Sequence, residues 1–171
     1  MKIAYTMNPG KGSTDVLLSQ VATRLQARGL RTCGMVQTNT DRGDPSRCDM
    51  DVTVLPKGPE IRISQSLGGL SRGCRLDVSA LERAVGLTER ELARGADVLI
   101  LNKFGKHEAA GRGARGTIAQ ALSLEIPVIL GVNPMNEDAF HAFAQGFALR
   151  LPDDVEALTR WLDDMRAVQA A

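Results

Sequence analysis

The chain has 171 residues, which is the size of one domain and is enough to bury a hydrophobic core. Its 21 Lys and Arg residues nearly balance its 20 Asp and Glu residues, so net charge gives no reason to expect binding to nucleic acid or to an anionic membrane. The sequence shows neither a signal-peptide pattern nor an apolar run of the roughly 18 residues that a membrane span requires, so we expect a cytoplasmic protein.

The beginning of the chain predicts a strand, a glycine-rich loop and a helix. Residues 2–6 have the pattern of a short buried strand, and residues 7–14 (MNPGKGST) form the loop. Apolar residues at helical spacing predict a helix over residues 15–28, with a hydroxyl residue of the loop as its N-cap and Asp15 at the positive end of its dipole. This order of elements is the first half of a βαβ unit.

The middle of the chain predicts a strand at residues 30–37, a polar surface loop at 38–49 and a β-hairpin made of residues 51–55 and 60–64. A glycine-rich loop at 65–75 precedes a helix with Asp77 as its N-cap. The remaining predicted elements are the helix 78–94, the strand 97–102, a loop at 103–116, the helix 117–124, the strand 127–132, the helix 137–145, the strand 147–149 and the helix 153–169.

Strands that alternate with helices predict an α/β fold, a three-layer α/β/α sandwich with a mostly parallel sheet and the added β-hairpin, in one domain over residues 1–171. The continuous apolar run in residues 97–102 is typical of a parallel strand that is covered on both faces. Ligands of such sheets bind beyond the carboxyl ends of the strands, where we expect loops 7–14, 65–77 and 103–116 to meet.

The first loop is compared with the Walker A motif G-x-x-x-x-G-K-[ST], whose backbone amides cradle phosphates. If Gly12 is the second motif glycine, Thr14 takes the hydroxyl position and Ser13 replaces the lysine. This register predicts an anion cradle formed by Gly10, Gly12, Ser13 and Thr14 at a helix N-terminus, with Lys11 as an alternative source of positive charge. A glycine-rich turn without a ligand is the other interpretation.

The loop at 103–116 combines four cations with four glycines. Lys103, Lys106, Arg112 and Arg115 are suited to phosphate or another oxyanion, and small residues between them let the backbone approach a ligand. The alternative is a solvated basic loop. We expect this segment and the Walker A-like loop to face each other across one crevice.

The segment DVLILNKFGKHE resembles the Walker B strand of the THEP-type nucleoside triphosphatases. Gly105 and Glu108 match that pattern, whereas Asn102 and Lys103 stand where the family has two acids. The segments ISQSLGGLSRGCRLD and LNKFGKHEAAGRG more closely resemble a bacterial family of unknown function that is distantly related to those enzymes. The resemblance implies a P-loop NTPase-like fold, a nucleotide as ligand, and Glu108 as the surviving acid.

Loss of the motif lysine and of the strand-end aspartate removes the phosphate-reaching cation and the residue that organises Mg²⁺. We therefore predict a nucleotide- or phosphate-binding protein whose hydrolysis is weak or absent. Two alternatives stay open: an active NTPase or phosphotransferase that uses Lys11 and Glu108 as catalytic residues, and a non-enzymatic oxyanion-binding sensor or partner protein. In each case a homo-oligomer is a possible assembly.

The three cysteines are odd in number and have no C-x-x-C spacing, which favours reduced thiols and gives no metal site. Cys74, beside Arg75, is a candidate reactive thiol, and His107 is a candidate base or ligand. For each of these residues an ordinary structural role is the alternative.

Overall fold

The computed structural model of this chain describes residues 2–8, 10, 12–41, 48–65 and 76–170. Within these ranges the strands are β1 (Ile3–Thr6), β2 (Thr32–Asp41), β3 (Cys48–Leu55), β4 (Glu60–Arg62), β5 (Val98–Phe104), β6 (Val128–Val132) and β7 (Ala148–Arg150). The helices are α1 (Ser13–Ala27), α2 (Val78–Ala93), α3 (Lys106–Ala109), α4 (Arg115–Ser123), α5 (Glu137–Ala144) and α6 (Val155–Ala170), with a 3₁₀ turn at Pro134–Asn136.

These strands form one sheet in the order β4-β3-β2-β5-β6-β1-β7. Strands β2, β5, β6, β1 and β7 run parallel to one another, and β3 and β4 are added at the β2 edge with antiparallel pairing. The predicted sandwich with a mostly parallel sheet and an added hairpin is therefore confirmed. The apolar run in β5 lies at the centre, between β2 and β6, as its sequence predicts.

Two hydrophobic cores cover the two faces of the sheet. One core joins α1 and α6 to the sheet and includes Leu18, Ile100 and Trp161. The other joins α2, α4 and α5 to the opposite face and includes Leu99 and Phe140. Because Leu99 and Ile100 are consecutive in β5 and belong to different cores, the period of two along a strand explains how one apolar run serves both layers.

The prediction of a loop at 38–49 is wrong at both of its ends. Thr38, Asn39 and Thr40 continue β2 and pair with Asp51, Met50 and Asp49 of β3. The side chains of residues 38–40 are exposed, so this part of the ladder is held by backbone pairing and has no alternating apolar pattern that a sequence could reveal. Residues 42–47 lie outside the described part of the chain.

The prediction of a loop at 103–116 is confirmed only for residues 105 and 110–114 and is wrong elsewhere. Strand β5 continues to Phe104, which is fully buried, and a short helix, α3, follows it at once. Helix α4 begins at Arg115, two residues before the predicted start. The strong glycine content of the segment suggested irregular backbone, but Phe104 extends the core and so prolongs the strand.

The caps of two helices test the predicted boundaries. Asp77 is confirmed as the N-cap of α2, since its Oδ1 accepts the Ala80 N–H at 2.9 Å. The predicted hydroxyl N-cap of α1 is wrong. Ser13 and Thr14 lie inside the helix, and Gly12 is the N-cap with a left-handed φ of 78°.

Of the helices that the structure describes, none is long and apolar enough to cross a membrane.

The sheet offers a matched pair of glycine substitutions. Gly34 in β2 has φ +125°, and a Cβ there would collide with the backbone of Ile100 in β5. We expect Gly34→Ala to lower the free energy of unfolding by about 3 kcal/mol or more, since both the conformation and the packing oppose a side chain. In contrast, Gly86 lies in α2 with open space around it, so Gly86→Ala should stabilise by about 0.5–1 kcal/mol. Urea denaturation measures both, and equal effects would contradict the strand register.

Candidate functional site

The start of α1 and the end of β5 meet at the carboxyl edge of the sheet. Gly131 of β6 lies between them: a Cβ at this glycine would overlap the methyl group of Thr14 and approach the carbonyl oxygen of Asn102 to 2.5 Å. Position 131 must therefore be a glycine, without a side chain, for the two elements to come together. This brings the Walker A-like hydroxyl position next to the strand-end position that resembles Walker B.

A buried carboxylate joins these elements. Asp15, in the first turn of α1, is only 5% exposed, and Asn102 at the end of β5 is 6% exposed. The Asn102 Nδ2 donates a hydrogen bond to Asp15 Oδ1 at 2.7 Å, and the side-chain amide of Asn39 donates to Asp15 Oδ2. Both carboxylate oxygens therefore have an amide donor.

The side chains of Gln37 and Asn39, both in β2, extend this network. Gln37 donates from Nε2 to Asn39 Oδ1 at 2.7 Å, and its Oε1 lies 3.4 Å from Asn102 Nδ2. We call Asp15, Gln37, Asn39 and Asn102 the amide network. Sequence reasoning gave Asp15 only a dipole role and did not select Gln37 or Asn39. The available signal was Asn102 at the position of a strand-end acid, because a buried side-chain amide needs a hydrogen-bond acceptor.

The amide network does not fit the Mg²⁺ arrangement that a P-loop enzyme would use. Magnesium binds through hard oxygen ligands, usually one or two carboxylates together with waters and substrate phosphates. Here the carboxylate is on α1, both of its oxygens accept from side-chain amides, and the strand end presents an amide N–H toward it. No group of three or more metal-ligating side chains occurs in the described ranges.

Two cavities lie next to the amide network. One of them is beside the N-terminus of α1, and we call it the α1 cavity. Its volume is about 540 Å³, and its lining includes Gly12, Ser13, Asp15 and Asn39. The preceding turn is built by hydrogen bonds from Gly10 N–H to Asn8 Oδ1 at 2.7 Å and from Ser13 N–H to Gly10 O at 3.3 Å. Lys11, the predicted alternative cation, lies outside the described residues.

A second cavity of about 210 Å³ lies under α3, and we call it the α3 cavity. Lys103, Lys106, His107 and Glu108 line it, together with Asn102. Of the predicted site residues, Gly12 and Ser13 thus line the α1 cavity, and Lys103, Lys106 and Glu108 line the α3 cavity. Gln37 lines both, so the amide network forms the boundary between them.

The two predicted arginines line neither of these cavities. Arg112 is exposed. Arg115 donates from Nη1 to the carbonyl oxygen of Glu108 at 3.2 Å, and its guanidinium carbon lies 4.7 Å from the centroid of the Phe143 ring. These contacts give Arg115 a packing role between α4 and α5.

Glu108 organises the segment that joins β5 to α4. It is 7% exposed, its Oε2 accepts the Gly105 N–H at 3.0 Å, and its Oε1 accepts the Ala114 N–H at 3.1 Å. One buried carboxylate therefore joins the N-cap of α3 to the N-cap of α4. The predicted catalytic role of Glu108 stays a prediction, and any such role would compete with these two backbone hydrogen bonds.

Cys33 is a core thiol. It is 1% exposed, its Sγ donates to the Thr88 carbonyl oxygen at 3.3 Å, and burial raises its pKa to about 11. Since a thiolate is the reactive form, Cys33 is inert at neutral pH. Cys74 lies outside the described residues, as does the side chain of Cys48.

Comparisons with known proteins identify a family that this chain matches and a solved structure with the same fold. The family described as "Protein of unknown function (DUF2478)" matches residues 3–161. The Molybdenum import ATP-binding protein ModC 2 of Bradyrhizobium diazoefficiens is 32% identical over 163 residues, which is 95% of this chain and 18% of that protein. This chain therefore spans less than a fifth of the length of the curated relative.

The crystal structure of THEP1 from the hyperthermophile Aquifex aeolicus has the same fold. It superposes with a TM-score of 0.66 at 19% identity and covers 96% of both chains. The expected resemblance to THEP-type proteins is thereby confirmed at the level of the fold. At this identity the likeness concerns the architecture alone.

The amide network predicts an electrostatic conflict in Asn102→Asp. This variant places a second carboxylate beside Asp15 in a buried site, and we expect it to lose about 3 kcal/mol of unfolding free energy at neutral pH. Repulsion raises the pKa of the acid pair, so the destabilisation should grow as pH rises above the ordinary carboxyl pKa of about 4. Urea denaturation at pH 5 and pH 8 measures this.

The double variant Asp15→Asn with Asn102→Asp restores one carboxylate and one amide, so it should recover most of the loss. Asn133→Asp is the matched control, because Asn133 caps the 3₁₀ turn through Oδ1, which an aspartate can replace. If Asn102→Asp is as stable as the natural chain at both pH values, Asn102 does not face Asp15.

The contacts of Glu108 predict that Glu108→Gln weakens α3. The amide retains one acceptor and turns an N–H₂ group toward one of two backbone donors, so about 1–3 kcal/mol of stability should be lost. Hydrogen exchange should accelerate at the amides of Gly105 and Ala114. Glu82→Gln, at an exposed position of α2, is the control. Unchanged exchange at both amides would show that Glu108 does not hold the segment.

Proposed function

The chain belongs to the DUF2478 family and has a P-loop NTPase fold, and from this premise we propose that it binds a nucleotide or a phosphate at the N-terminus of α1, with weak or no magnesium-dependent hydrolysis. The observation that carries the proposal is the pairing of Asn102 with Asp15. This hydrogen bond holds the start of α1 next to the end of β5. It also occupies the side chains that would otherwise organise Mg²⁺.

Backbone geometry supports anion binding at this helix terminus. The dipole at a helix N-terminus favours a negative charge. In α1 this dipole carries the argument, because the Ser13 N–H already donates to Gly10 O and the Asp15 N–H to Gly12 O. Helix α1 has 15 residues, begins after a left-handed Gly12, and has Ser13 exposed in its first turn beside the α1 cavity. Asp15 lies in the same turn and lowers the positive potential, which favours modest affinity.

The two motif positions support weak hydrolysis. Ser13 stands where a Walker A loop has its lysine, so the γ-phosphate lacks the usual cation. Asn102 stands at the strand-end position, and its amide is committed to Asp15. By analogy with other groups that stabilise transition-state charge, each loss costs roughly 10²–10³-fold in rate.

A tetrahedral oxyanion is the second candidate ligand. It is favoured by the 32% identity to a protein named for molybdenum import, which extends over 95% of this chain. Molybdate and phosphate share tetrahedral shape and double negative charge, so the same helix terminus would suit both. In this case the chain would act as an oxyanion sensor or partner without turnover.

Ligand binding is tested by a charge introduced into the glycine turn. We expect ATP, phosphate or molybdate to stabilise the natural chain, by about 2.7 kcal/mol at a hundredfold excess over Kd for the true ligand. Ser13→Glu places a carboxylate at the proposed anion site and should abolish this stabilisation. Thr23→Glu makes the same charge change at an exposed position roughly 15 Å further along α1 and should have no effect.

Thermal denaturation and calorimetry, each with and without Mg²⁺, measure these effects. Equal stabilisation of Ser13→Glu and the natural chain would contradict binding at α1. Magnesium-dependent phosphate release that falls in Glu108→Gln would instead support the alternative of an active enzyme that uses Lys11 and Glu108.

A further inference from the structure

We propose that the α3 cavity is a second ligand site, which binds a small organic acid with an apolar ring and a hydrogen-bond donor. This inference goes beyond the proposed function, because no residue of the glycine turn lines the α3 cavity. It rests on the size of the cavity, on two buried polar atoms and on the charge at its entrance.

The floor of the α3 cavity is apolar. It is contributed by Met35 of β2, Val52 of β3, Leu81 of α2 and Leu101 of β5, together with Ile63, which follows β4. Protein interiors rarely keep voids larger than a water molecule, and an engineered apolar cavity of about 150 Å³ holds benzene. The volume of about 210 Å³ therefore suits a ligand body of one or two rings.

Two buried polar atoms of the lining have no hydrogen-bond partner. They are Asn102 Oδ1 and His107 Nδ1, and both residues line the α3 cavity. In the described part of the chain only Thr6 Oγ1 shares this condition. Buried polar atoms in native proteins are normally hydrogen-bonded, so their concentration around one cavity points to a missing partner. Since Asn102 Oδ1 is an acceptor, that partner carries an N–H or O–H donor.

The charge at the entrance selects an acid. Lys103 and Lys106 are exposed residues of the lining, and an ammonium group attracts a carboxylate. The one acidic residue among the described lining residues, Glu108, is committed to the amides of Gly105 and Ala114. Its charge is therefore partly satisfied within the protein, and the lysines determine the preference for an anionic ligand.

Indole-3-acetate combines the three expected features and serves as the probe. It has a two-ring apolar body, one N–H donor and one carboxylate. Indole-3-acetamide lacks the charge, and naphthalene-1-acetate lacks the N–H. We expect calorimetry to show binding of indole-3-acetate, with affinity at least about tenfold lower for each of the two analogues because each leaves one interaction unmade.

Protein variants locate the binding. The double variant Lys103→Ala with Lys106→Ala changes two exposed side chains and should lower the affinity for indole-3-acetate about tenfold. The variant should then bind indole-3-acetate and indole-3-acetamide with nearly equal affinity. Lys57→Ala, in the exposed β3–β4 turn, should leave the affinity unchanged. In NMR spectra the probe should shift the ring signals of His107 and the side-chain amide of Asn102.

Ser13→Glu should bind the probe like the natural chain, which separates this site from the proposed phosphate site. Failure of nucleotide and oxyanion binding would leave the probe result unaffected. The proposal is overturned if indole-3-acetate does not bind, if the double lysine variant binds it as tightly as the natural chain, or if the shifted signals lie at α1 instead of at His107 and Asn102.

Discussion

The carboxylate of Asp15 is the constraint on which this end of the molecule depends. A buried charge is tolerated only when its oxygens are hydrogen-bonded, and leaving it without a partner costs several kcal/mol. Asn102 and Asn39 supply the two donors, one from β5 and one from β2. The start of α1, the end of β5 and the extended end of β2 are thereby held in one arrangement, and Gly131 permits it by having no side chain.

The same contact determines what the sheet edge can do. A P-loop enzyme places its carboxylate on the strand, where it organises the metal next to the phosphate. In this chain the carboxylate of the buried pair, Asp15, is on the helix, and the strand end carries the amide of Asn102. The amide network also divides the edge into two cavities, one beside the helix amides and one under α3 with lysines at its entrance. Gly12 and Ser13 of the glycine turn therefore line a different cavity from Lys103 and Lys106 of the basic segment.

Local sequence patterns predicted the three layers. Burial on both faces gives β5 a continuous apolar run, and the Asp77 cap of α2 depends only on Ala80, three residues away. The parts that were missed depend on long-range contacts. The hydrogen bond between Asn102 and Asp15 joins residues 87 positions apart, and the exposed residues 38–40 of β2 are ordered by pairing with β3. The Glu108 carboxylate accepts the N–H groups of Gly105 and Ala114, the N-caps of α3 and α4, which the glycine-rich sequence of the segment does not indicate. The predicted single crevice between the Walker A-like loop and the basic segment therefore did not appear, because Gly12 lines the α1 cavity and Lys103 and Lys106 line the α3 cavity.

The most direct measurement of the central claim follows the side-chain amide signals of Asn102 and Asn39 by NMR during a titration with Mg²⁺, in the presence of ATP. If Asp15 is committed to these amides, their protons exchange slowly and their shifts stay constant as the metal is added. A magnesium-dependent shift of both amides together with loss of their protection would mean that Asp15 leaves the network to bind the metal. The chain would then hold a working magnesium site in a different arrangement, and the commitment of Asp15 to the two amides would be disproved.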